Sequence, residues 1–200
     1  RAVILAQGKQ PRKLGVEGEE RYLGRGLSIC STCDGPLFRD KVVAIVGGGN
    51  SALQTAIEMS GIAREVHLVV RSTIKADEVY VRAFEKKPNI ITHMNSLVSG
   101  LRGNSMLSGI TLKERTSGKQ TDLPVDGLFA EIGWIPNTAF LEGIVDMNPD
   151  KEVIIDINCQ TSVPGIFAAG DITNIRTKQI ITAAGEGAKA ALSSYEYLMK

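Results

Sequence analysis

Continuous apolar runs punctuate the chain at Ala2–Ala6, Val42–Val46, Val66–Val70, Val153–Ile155 and Gly165–Ala169. Runs of this kind, without polar alternation, predict parallel strands buried on both faces. Between the second and third, Ser51–Ser60 places Ala52, Leu53, Ala56, Ile57 and Met59 at helical spacing, and Gly61 suits a C-terminal cap. Residues 42–70 therefore predict a strand–helix–strand unit. From Ser96 to Gly133 the pattern shortens into strands with turn signals at Gly103-Asn104 and Ser117-Gly118-Lys119, which predicts an antiparallel meander appended to the parallel sheet. The Ala-rich stretch Ile180–Met199 predicts a closing helix. The expected class is α/β. Ala2–Gly8 reads as an interior strand with no capping or linker sequence before it, so the chain is expected to be a fragment of a longer protein.

Composition narrows the function. With 200 residues, 43% hydrophobic and 22% charged, the chain can bury one sizeable core or two small ones. A net charge of +1 with interspersed signs gives no electrostatic footprint for nucleic acid or an anionic membrane. No apolar run approaches the roughly 20 residues that span a bilayer, and the apolar start is too short for a signal-peptide core. A cytoplasmic protein with small-molecule or protein ligands is the expectation.

The strand Val42–Val46 runs into Gly47-Gly48-Gly49-Asn50-Ser51-Ala52 and then the predicted helix. Read as G-x-G-x-x-A, Gly47 makes the tight turn, Gly49 allows close approach to a pyrophosphate, and Ala52 packs helix on strand. The helix N-terminus adds unpaired N–H groups for the phosphates. This predicts a dinucleotide site. At the end of the next strand, where a carboxylate would accept from the ribose of NAD, stand Val70, Arg71, Ser72 and Thr73. Arg71 and the Ser72 hydroxyl could hold a 2'-phosphate, which favours NADPH and leaves NADH open.

Cys30-Ser31-Thr32-Cys33-Asp34 carries the second chemistry. C-x-x-C spacing lets two thiols close a reversible disulfide and favours one thiolate at neutral pH. Asp34 is the candidate to move protons for disulfide exchange. A zinc site would need four ligands, and the remaining candidates, Cys159, His67 and His93, are scattered, so no metal is expected. Cys159 is expected to be a buried small hydrophobe. His67 falls within the third strand and His93 in a turn-like segment.

The dithiol motif followed directly by a nucleotide strand and glycine turn resembles the low-molecular-weight thioredoxin reductases and the flavoprotein subunit of alkyl hydroperoxide reductase. The likeness continues through Gly15-Val16, Gly24-Arg25-Gly26, Gly133–Thr138 and Thr161–Asp171. The resemblance implies a Rossmann-like FAD/NAD(P)-binding fold. Residues 12–136 would form the NAD(P)H-binding domain carrying the dithiol; 1–11 and 137–200 would be parts of a discontinuous FAD-binding domain whose N-terminal part, with its first glycine motif, is missing. It further implies FAD held by Gly170 and Asp171 and by Lys178, Gln179 and Ile180, with Cys33 facing the flavin and Cys30 attacking a partner. A homodimer acting on a thioredoxin-like or peroxiredoxin-linked protein disulfide is implied.

Two departures stand beside that likeness: the first FAD-binding glycine motif is absent, and the reductases usually carry His-Arg-Arg where this chain has Val70-Arg71-Ser72. Several stretches, Gly49-Asn50-Ser51 and Lys75-Ala76-Asp77 among them, look closer to the flavoprotein of the hydroperoxide reductases, which prefers NADH. The alternatives are that flavoprotein and a non-catalytic nucleotide-binding module.

Overall fold

The computed structural model describes residues 1–199. In chain order its elements are β1 (Val3–Leu5), β2 (Lys9–Pro11), α1 (Glu19–Tyr22), β3 (Leu27–Ser28), α2 (Ser31–Asp34), β4 (Val42–Val46), α3 (Asn50–Ser60), β5 (Glu65–Val69), α4 (Glu78–Phe84), β6 (Ile90–His93), β7 (Ser96–Gly103), β8 (Leu107–Glu114), β9 (Gln120–Leu123), β10 (Gly127–Ala130), β11 (Trp134–Pro136), β12 (Ile166–Ala168) and α5 (Ile180–Leu198). The chain divides into two compact units. One is Arg12–Gly133; the other combines Arg1–Pro11 with the chain from Trp134 onward.

Arg12–Gly133 is built on a five-stranded parallel sheet ordered β3-β10-β4-β5-β6. Apolar residues point both ways because both faces are covered. On one face Val43, Ile45, Val66 and Leu68 pack against Leu53, Ala56 and Met59 of α3. On the other, Ala44, Val46, Val69 and Leu128 pack against Val98, Ile110 and Leu112 of the β7-β8-β9 meander. Each fully buried aliphatic side chain contributes roughly 2 kcal/mol.

Two expectations for this unit are corrected. Gly127–Ala130, expected in the antiparallel meander, instead inserts between β3 and β4 of the parallel sheet. Its fully apolar Leu128 and Phe129 suit a doubly covered position, and a Cβ on Gly127 would lie 2.4 Å from the Phe38 ring, so the small residue is needed there. His93, expected in a turn, ends the edge strand β6, whose mixed apolar and polar residues hid it from a search for apolar runs.

The other unit holds the parallel pair β1-β12, the antiparallel pair β2-β11 and the long helix α5. Its main core gathers Leu5, Leu141, Val145, Val153, Ala168 and Ile172. The strand expected over Val153–Ile155 does not form. Val153 makes only isolated bridges to Met147 and Thr173, and Asn174 Oδ1 takes the N–H of Ile155 that a ladder would use. The expectation that β1 is buried on both faces also fails, since Val3 and Ile4 stay 53% and 40% exposed beside a single neighbouring strand.

Candidate functional site

The dithiol turn begins where β3 leaves the sheet edge. Cys30 is the N-cap of α2 in extended conformation, and its sulfur accepts the backbone N–H of Cys33 at 3.2 Å. The two cysteines form a disulfide with sulfurs 2.06 Å apart. Cys30 is half-buried and Cys33 exposed. Asp34, half-buried, accepts from the Ser28 hydroxyl at 2.6 Å, and the same hydroxyl oxygen accepts the Cys30 N–H at 3.1 Å. Ser28 thus links the proton-carrying candidate to the backbone of the first cysteine, a role the sequence did not signal.

The glycine turn after β4 opens a cavity of about 550 Å³ whose walls include Gly47, Gly48, Gly49, Asn50, Ser51, Arg71 and Ser72. The three glycines differ in what they tolerate. Gly47 sits at φ 152, and a Cβ there would lie 2.3 Å from the Glu131 carbonyl oxygen and 2.7 Å from the Ala52 Cβ. A Cβ on Gly48 would meet the Thr73 carbonyl oxygen at 3.0 Å, whereas one on Gly49 would meet nothing within 4 Å and would occupy the open space that a phosphate group needs. That opening, together with Arg12, Lys13, Arg71 and Lys75 in the same wall, fits an anionic dinucleotide.

The loop carrying Arg71, Ser72 and Lys75 is fastened to the glycine turn. The Asn50 side chain donates to Asp77 Oδ2 at 2.8 Å and accepts the Asp77 N–H at 2.7 Å, and the Lys75 N–H donates to the Gly48 carbonyl at 2.6 Å. Arg115 steadies the same loop by donating to the Arg71 carbonyl at 3.1 Å.

Four further side chains escaped the sequence search. Thr55 of α3 lies 3.0 Å from Glu131 Oε1 and 3.1 Å from Ser31 Oγ, and Ser31 donates to Glu58 Oε2 at 3.1 Å. Burial pushes the Glu131 carboxyl above its usual value; the Thr55 hydrogen bond works against this and the Glu58 charge adds to it. Ser31 belongs to the dithiol turn and Glu131 lines the glycine-turn cavity.

In the second unit, a cavity of about 350 Å³ is lined by Gly170, Asp171, Lys178, Gln179 and Ile180 together with Gly8. Gly170, at φ 77, donates its N–H to Glu186 Oε2 at 2.7 Å, and the buried Thr173 hydroxyl donates to the Gly170 carbonyl at 2.8 Å. Glu186 is buried; its carboxylate accepts the Gly170 N–H and lies 3.3 Å from the Thr173 hydroxyl, its two polar partners. Lys178 lies 3.2 Å from Glu152, which also holds Lys9 at 2.7 Å. A carboxylate acceptor at Asp171 and an ammonium at Lys178 in one concave surface suit part of a flavin nucleotide.

The remaining titratable candidates stand apart from both cavities. Buried His67 bonds His93 at 3.0 Å and Glu65 at 2.8 Å. Burial and the neighbouring His67 push His93 below its usual value. Cys159 is buried, and burial pushes its thiol up.

Comparison with known proteins adds to this geometry. A family model described as pyridine nucleotide-disulphide oxidoreductase matches residues 1–187. Among curated proteins, the F components of the alkyl hydroperoxide reductases of Pseudomonas putida and Escherichia coli are each 42% identical over 202 residues, covering all of this chain and 39% of theirs. Among solved structures, thioredoxin reductase from Streptococcus pyogenes superposes with a TM-score of 0.82 at 35% identity, covering 99% of this chain and 65% of that one. Thioredoxin reductase from T. acidophilum gives a TM-score of 0.79 at 39% identity, covering 100% and 66%. The chain therefore spans about two-fifths of the length of these curated relatives.

Proposed function

The chain belongs to the pyridine nucleotide-disulphide oxidoreductase family, and from that premise we propose that it carries the nicotinamide site and working dithiol of a thioredoxin reductase-type enzyme. Electrons would pass from NADPH through FAD to the Cys30–Cys33 disulfide and on to a thioredoxin-like protein. The observation that carries this reading is the disulfide itself, set at the N-terminus of α2 with the Cys33 N–H on the Cys30 sulfur.

In this reading Gly47 to Ser51 hold the pyrophosphate, and Arg71 and Ser72 hold the adenosine ribose and its phosphate. Gly170, Asp171, Lys178, Gln179 and Ile180 hold the flavin. The bound flavin supplies two-electron transfer between nicotinamide and disulfide. Reduction of the disulfide releases one thiol and one thiolate per proton taken up. The Cys33 N–H stabilises the thiolate on Cys30, which attacks the partner's disulfide. Asp34, positioned by Ser28, gives and receives the protons of that exchange. Preference for NADPH is supported by the cations of the cavity wall, where Glu131 is the single acidic residue. The reading includes a cytoplasmic homodimer, in a compartment that keeps a cycling dithiol reducible.

The identity to the alkyl hydroperoxide reductase components supports a second reading, in which the electrons reach a peroxiredoxin-linked disulfide and NADH serves as donor. Anaerobic assay of the full-length protein with each nicotinamide and with thioredoxin-like and peroxiredoxin-linked acceptors separates the two. The first reading expects Arg71→Ala to cost NADPH use about tenfold and NADH use little. Equal loss with both nucleotides, or turnover only with the peroxiredoxin-linked acceptor, removes it.

A further inference from the structure

The contacts among Glu131, Thr55, Ser31 and Glu58 form three hydrogen-bond links between four oxygen-bearing groups. Each link needs one proton, and the two hydroxyls supply only two. With both carboxyls ionised, Thr55 would donate to Glu131 and Ser31 to Glu58, leaving the Thr55 and Ser31 oxygens facing each other at 3.1 Å with no proton between them. Both hydroxyl-bearing residues are buried, at 4% and 8% exposure, where opposed lone pairs are costly. A third proton completes the chain.

That proton has two seats. Glu58 is exposed to water, while half-buried Glu131 is the poorer place for a charge. From this geometry we infer that Glu131 is a protonated positioning residue. Its proton completes the chain Glu131 to Thr55 to Ser31 to Glu58, so that one proton both keeps the nucleotide cavity free of negative charge and seats the dithiol turn on α3. Burial pushing the Glu131 carboxyl upward is in accord with this.

The surrounding charges leave the assignment intact. Asp34 accepts from Ser28, Asp77 is engaged by Asn50, and Glu78 of α4 pairs with Arg82. Arg12, Lys13, Arg71 and Lys75 line the cavity, and among the described residues no salt bridge reaches Glu131 or Glu58. Loss of the proton would place a new negative charge in a cavity lined by these cations, opposing an anionic nucleotide. It would also break the link between Thr55 and Ser31.

The inference rests on reading the glycine-turn cavity as the nucleotide site, and its test keeps the two apart. In the full-length protein, the infrared carbonyl band of a protonated carboxyl group is measured near neutral pH for wild type, Glu131→Gln, Thr55→Val and Thr55→Ser. Affinity for NADPH and NADH is measured in parallel from neutral to alkaline pH. The band is expected in wild type, absent in Glu131→Gln, displaced in Thr55→Val and restored by Thr55→Ser. Affinity is expected to fall on the order of tenfold in wild type as Glu131 ionises, a fall that Glu131→Gln abolishes. A missing band in wild type, a band retained in Glu131→Gln, or identical pH profiles for the two would overturn the inference. The band pattern without nucleotide binding at any pH would support the proton assignment and reject the nucleotide reading instead.

Discussion

The backbone N–H of Cys33 lies 3.2 Å from the sulfur of Cys30, so the second cysteine of the turn serves the first as a hydrogen-bond donor. Such a donor favours sulfur in its anionic form, which makes the two thiols unequal once the disulfide is reduced. After reduction, substoichiometric iodoacetamide near neutral pH should label Cys30 ahead of Cys33 by roughly tenfold, read by peptide mass spectrometry. Buried Cys159, its thiol pushed up by burial, should stay unlabelled. Equal labelling of Cys30 and Cys33 would remove the basis for assigning the attack to Cys30.

Gly47 and Gly49 should fail in different ways. Gly47→Ala drives a Cβ into the Glu131 carbonyl and the Ala52 side chain from a strained backbone position, which should cost about 2–4 kcal/mol of stability in denaturant unfolding. Gly49→Ala meets no protein atom within 4 Å, so its stability should change by no more than about 0.5 kcal/mol. Its nucleotide affinity should nevertheless fall, because the added methyl group enters the cavity. Normal binding by Gly49→Ala would exclude close phosphate approach at that residue.

The distinction between these glycines marks how far the sequence carries. The strand before them, the helix after them and the cavity they open were readable from apolar periodicity and glycine spacing, because a buried parallel strand and an amphipathic helix leave local patterns. β10 was assigned to the wrong sheet because its insertion between β3 and β4 is a long-range pairing with no local signature. Glu131, Thr55, Ser31 and Glu58 were missed for the same reason. Thr55 looks like an ordinary helix residue until the fold sets it between Ser31 and Glu131. In the second unit, Glu186 could have been flagged only by knowing that its helix position is buried.

Asn50 and Asp77 should behave as one unit. Their two reciprocal hydrogen bonds hold the loop bearing Arg71 and Lys75 to the glycine turn. Asn50→Ala and Asp77→Ala should each cost about 0.5–1.5 kcal/mol, and the double variant no more than the larger single loss. A double-mutant cycle that is fully additive would show that the pair is not the fastening.

Acid should loosen the unit that contains α5. Burial pushes the Glu152 carboxyl up, but hydrogen bonds from Lys9, Asn148 and Lys178 outweigh it and hold the group below its ordinary value of 4.5. A carboxylate depressed in the folded state contributes stability that is fully present above its unfolded value and is lost as pH falls through the folded one. Unfolding followed by Trp134 fluorescence should therefore show stability declining below about pH 4.5, with Glu152→Gln flattening that decline. An unchanged acid profile in the variant would assign the decline to other groups.

Whether Cys30–Cys33 is the working dithiol is tested most directly by anaerobic titration of the full-length protein with one equivalent of nicotinamide nucleotide. Thiol-specific labelling before and after addition should show the Cys30–Cys33 disulfide opening as the nucleotide is oxidised, with Cys30→Ser unable to reduce a partner disulfide. Oxidation of the nucleotide with the disulfide left closed, or undiminished partner reduction by Cys30→Ser, would contradict it.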